Sequence, residues 1–73
     1  MNKYIIPICD IKNGRVYIKT IVAKSYADCQ EKLMAGLTMT YDIEDCANYR
    51  EFVQVADSEY DVLIGDIKDV EEI

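Results

Sequence analysis

Lys12-Asn13-Gly14-Arg15 constrains this chain more than any other stretch. Asn-Gly suits a two-residue type I′ turn, in which both central residues need φ > 0. Residues 4–11 and 16–23, on either side, are rich in apolar, β-branched and aromatic side chains. Such runs read as strands. The spacing predicts a β-hairpin with Ile11 opposite Val16, Cys9 opposite Ile18, Pro7 opposite Thr20 and Ile5 opposite Val22.

Alternation along a strand sorts these residues into two faces. One face holds Ile5, Pro7, Cys9, Ile11, Val16, Ile18, Thr20 and Val22. It is almost wholly apolar and is assigned to the core. The other holds Tyr4, Ile6, Ile8, Asp10 and Lys12 opposite Arg15, Tyr17, Lys19, Ile21 and Ala23. Pro7 lacks an N–H, and its missing donor points away from the second strand. An outside neighbour would lose a ladder bond there, so the first strand is expected at the sheet edge.

Two helices follow. Ser25 with Asp28 three residues on has capping-box spacing. Tyr26, Cys29, Leu33 and Leu37 form a stripe at the helical period, and Gly36 is the expected stop. Residues 38–43 read as a short strand or an extended connector. Asp45 is the expected cap of a second helix, whose stripe is Cys46, Tyr49, Phe52, Val53 and Ala56. Residues 57–59 read as its exit loop and residues 60–67 as a last strand. Residues 68–73 read as an acidic tail that frays. The expectation is an α+β fold over residues 1–73: a ββααβ order, two layers, and a mainly antiparallel three-stranded sheet with both helices on one face.

Charge narrows the function classes. The 73 residues carry a net charge of −6 and no histidine. Residues 1–24 hold Lys3, Lys12, Arg15, Lys19 and Lys24 against Asp10 alone, a balance of +4. The remaining residues balance at −10. An acidic chain repels a phosphate backbone, which argues against general nucleic-acid binding. No run is apolar and long enough for a membrane span. Cys9, Cys29 and Cys46 are odd in number and widely spaced. They read as buried, reduced thiols of a cytoplasmic protein.

Catalytic parts are scarce. Histidine, the usual proton carrier near neutral pH, is missing, and a cysteine nucleophile would need an activating base. Asp57, Glu59 and Asp61 have the spacing that opens a calcium loop. However, Val62 then stands where glycine is needed and Lys68 where glutamate is needed. The three glycines are isolated, so no phosphate loop is present. No catalytic residue, metal site or cofactor is assigned.

The face assigned to solvent carries the functional expectation. Tyr4, Ile6, Ile8, Arg15, Tyr17, Lys19 and Ile21 are too apolar for an open sheet face, and they are taken as the candidate interface. In size and charge the chain resembles small acidic proteins carried by bacteria and their phages. The outer face and the −10 balance of residues 25–73 lead to the expectation of a non-enzymatic interaction protein, an inhibitor or adaptor acting on a protein partner through that face or the acidic helical side. The alternative is a structural homodimer, or a subunit of a larger assembly, joined through the same face.

Overall fold

The computed structural model describes residues 1–72, in the order β1 (Asn2–Asp10), β2 (Arg15–Ala23), α1 (Tyr26–Tyr41), α2 (Tyr49–Tyr60), β3 (Val62–Ile64) and β4 (Lys68–Glu72). The α+β class and the hairpin followed by two helices are as the sequence indicates. The sheet has four strands rather than three.

The hairpin turns by a different device from the one Asn-Gly suggests. Gly14 has φ +65°, while Asn13 is not among the positive-φ residues. The Gly14 N–H donates to the Ile11 carbonyl at 3.2 Å. Asp10 accepts from the Asn13 backbone N–H at 3.2 Å and from its side-chain amide at 2.8 Å. Residues 11–14 therefore form a longer loop, a turn closed by a left-handed glycine and held by the Asp10 carboxylate. Asp10 pairs with Arg15, Cys9 with Val16, Pro7 with Ile18 and Ile5 with Thr20. The register is thus slipped by two residues from the expected one. An even slip leaves each residue on its own face.

β1 is the central strand, not the edge. β2 lies on one side of it, and β3 and β4 share the other. Pro7 explains how a central strand tolerates proline. β3 pairs as far as Ile8↔Ile64, and β4 resumes at Ile5↔Lys68. The interruption sits beside Pro7, where Gly65 N–H donates to the Pro7 carbonyl at 2.8 Å. The reciprocal bond needs an N–H that proline lacks, so the strand leaves the ladder there. Gly65 is also required sterically, because a Cβ would overlap Pro7 Cγ and lie 3.2 Å from the Pro7 carbonyl oxygen. The segment expected to fray forms β4 through Glu72, and Ile73 lies outside the described residues.

Ser25 caps α1 as its spacing indicates, its hydroxyl accepting from the Asp28 N–H at 3.2 Å. Cys29, Leu33 and Leu37 are buried. Gly36 does not end the helix. It lies under Lys19, whose Cε would be 3.3 Å from a Cβ at Gly36. α1 continues through residues 38–41, and left-handed Asp42 (φ 58°) closes it by donating its N–H to Thr38 O at 2.8 Å. The cap of α2 is Asn48, not Asp45. Its side chain accepts from the Glu51 N–H at 2.9 Å, and Glu51 reaches back to the Ala47 N–H at 2.9 Å. Residues 57–59 are helical, and Asp61 (φ 55°) is the C-cap.

The two faces of the hairpin are opposite to expectation. Tyr4, Ile6, Ile8 and Asp10 of β1, with Ile21 and Ala23 of β2, are buried. They form one cluster with Cys29, Leu33, Leu37, Ile43, Phe52, Ala56 and Val62. Among the described residues, no helix covers the face with Ile5, Pro7, Cys9, Val16, Ile18, Thr20 and Val22, where Val16 and Ile18 are exposed.

Candidate interaction surface

This inversion moves the candidate interface. Of the residues first assigned to it, Tyr4, Ile6, Ile8 and Ile21 are core residues. Tyr17 and Lys19 are half-buried beside α1, and only Arg15 is exposed. The surface actually left open is built from the other set. Val16 is 78% exposed, Ile18 63%, and Val22 and Leu63 each 40%. Pro7 is exposed among them, and Ile5 and Cys9 are half-buried. Contiguous exposed apolar side chains on one sheet face are a candidate interaction surface.

Residue volume is the signal that separates the faces. Tyr4, Ile6, Ile8, Tyr17 and Ile21 are on average bulkier than Ile5, Pro7, Cys9, Val16, Ile18, Thr20 and Val22. The gap between a sheet and its helices is filled by the larger set. Its polar members gather at the turn end, where partners are available. Tyr41 of α1 donates to Asp10 Oδ2 at 3.2 Å, and its hydroxyl lies 2.9 Å from that of Tyr17. Since Tyr41 gives its proton to the carboxylate, Tyr17 donates to Tyr41. The Arg15 guanidinium stands 3.8 Å from Asp10 and 5.5 Å from the Tyr17 ring centroid. A nearly fully buried carboxylate is thereby satisfied.

Titration follows from these contacts. The Asn13 side chain, then its N–H, Tyr41 and Arg15, hold the Asp10 carboxyl below its usual range against the opposing effect of burial. Burial and the bond to Tyr41 push Tyr17 up to about 12. Burial raises the Cys29 thiol. Burial and the carboxylates led by Glu51 raise Cys46. Glu44 is raised by its hydrogen bond with Glu59. Both shifted thiols are held toward the protonated form, which disfavours a thiolate nucleophile.

Asp57 and Glu59 lie on α2, so their spacing with Asp61 is not that of a loop. Among the described residues, no group of acids and cysteines is arranged to hold a metal ion, and no helix is long and apolar enough to cross a membrane. Comparison of the chain with family models, with curated proteins and with solved structures found no match.

Proposed function

We propose that the chain is a non-enzymatic interaction protein of the cytoplasm, an adaptor or inhibitor that works by binding another protein through the open side of its sheet. The observation that carries this reading is the exposure of Val16 and Ile18, 78% and 63%, on a face where no helix packs. Each side chain there gains on the order of 1.5–3 kcal/mol when fully buried by a partner. Of the three cysteines expected to be buried only Cys29 is, Cys9 and Cys46 being half-buried; all three are free, which supports a reducing compartment.

The test uses Leu63→Lys and Ile18→Lys, introduced singly. Each should melt within a few degrees of the parent chain, because neither side chain packs in the core. Each should lose the partner that the parent chain retains in cross-linking from its native host. A variant that stays folded and captures the same partner would place the working surface elsewhere, on the acidic helices. Sedimentation of the purified chain separates out the homodimer: if the chain self-associates and Leu63→Lys makes it monomeric, the face is a joint between copies.

A further inference from the structure

The sheet has a second unpartnered feature, the outer edge of β2. Among the described residues β2 pairs only with β1. Pro7 directs its carbonyl to Gly65, away from β2. Antiparallel alternation then sets Pro7↔Ile18 as a non-bonded pair and turns the backbone groups of Val16, Ile18, Thr20 and Val22 outward. The two ends of this edge are closed. Lys32 Nζ donates to the Val22 carbonyl at 2.9 Å, and the Gly14 N–H is spent in the turn. Three residues in the middle, Val16, Ile18 and Thr20, are left with outward N–H and C=O groups. An edge of this kind is a template for an added strand.

Charge selects the occupant. β2 contains Arg15 and Lys19 and no acidic residue. Both alternate with the open-face residues and point to the helix side. There, with Tyr17 and Thr40, they line a groove of about 550 Å³. Among the described residues no carboxylate pairs with Lys19. A second copy of β2 laid antiparallel about Ile18 would set Lys19 opposite Tyr17 of that copy and diagonal to its Arg15 and Lys19, and like charges so close across a ladder are unfavourable.

We propose that the β2 edge docks an extended acidic segment of the partner as an added strand. Its residues alternate: apolar ones lie beside Val16 and Ile18 on the open face, and acidic ones enter the groove beside Arg15 and Lys19. This rests on the interaction-protein reading and extends it by naming the partner's chemistry.

The probe is a capped heptapeptide alternating glutamate with valine and threonine, against a control with lysine in place of every glutamate. The acidic peptide should bind about tenfold more tightly than the control. Its affinity should fall as salt rises, and the amides of Val16, Ile18 and Thr20 should become slow to exchange. Thr20→Pro removes an outward N–H that no bond inside the chain uses, and should weaken binding about tenfold. Lys19→Glu should reverse the preference between the two peptides. Should Thr20→Pro fail to fold, N-methylation of alternate peptide amides asks the same question with the protein unchanged. Leu63→Lys, at the other side of the sheet, should leave peptide affinity as it was. Equal affinity for both peptides, or acidic-peptide binding that survives both Thr20→Pro and amide methylation, overturns the proposal. Loss of the edge effect with partner capture still abolished by Leu63→Lys would sink the edge alone. Partner capture untouched by Leu63→Lys and Ile18→Lys would sink the open-face reading instead.

Discussion

The two faces of the β1–β2 hairpin differ less in hydrophobicity than in volume and in what stands over them. Ile8 and Ile18 belong to the same sheet, have the same side chain and lie on opposite faces. Ile8 is fully buried under the helices, and Ile18 is 63% exposed. The lesson is that an apolar face is not by itself a core face. The covered side holds the bulkier residues and accepts Asp10, because Asn13, Tyr41 and Arg15 satisfy that carboxylate. The open side lacks buried charge and also lacks bulk.

The largest difference between the faces should appear on truncation. Ile8→Ala should cost about 3 kcal/mol in urea unfolding. Ile18→Ala should change stability by no more than about 0.5 kcal/mol. Equal costs would erase the distinction between the faces.

Gly65→Val comes next. It tests the seam where the outer strand departs from Pro7, and the close approach there should make it cost about 1–3 kcal/mol. A silent substitution would mean that the outer strand does not pass over the Pro7 ring.

Legibility in the sequence divides along similar lines. Ser25 and, from the stripe Tyr26, Cys29, Leu33 and Leu37, all but the exposed Tyr26 are readable because capping and helical periodicity are local. The register was not, because it depends on the Asp10 side chain seizing Asn13, which turns an apparent two-residue turn into a longer loop. The central place of β1 was hidden as well. Pro7 does forbid a continuous outer strand, but an interrupted one satisfies the same restriction. The faces, and with them the candidate interface, were misassigned because alternation alone cannot rank two apolar sets. Ranking them takes residue volume, and the packing of α1 and α2 falls on the bulkier set.

A smaller effect sharpens the role of α2 in covering its face. Asn48→Ala removes the cap that sets where this helix begins, and should lower stability by about 1 kcal/mol. The corresponding change at Asp45, the cap the spacing first suggests, should be nearly neutral. Denaturant titration of the two variants side by side separates them.

The smallest effect lies at low pH. The folded Asp10 carboxyl titrates below its ordinary 3.8. Its contribution is therefore present above the unfolded value and is lost as pH falls through the folded one. Asp10→Asn should flatten the acid side of the melting-temperature profile and leave its slope near neutrality unchanged. A profile of unaltered shape would mean that Asp10 is not held by Asn13 and Tyr41.

The central claim is that the sheet side bearing Val16 and Ile18 is open and the side bearing Ile6 and Ile8 is covered. A soluble paramagnetic agent added to methyl-labelled protein reads this directly, with no substitution. The Val16 and Ile18 methyl signals should broaden strongly, with little change at Ile6 and Ile8. Broadening at Ile6 and Ile8 with protection at Val16 and Ile18 would contradict it.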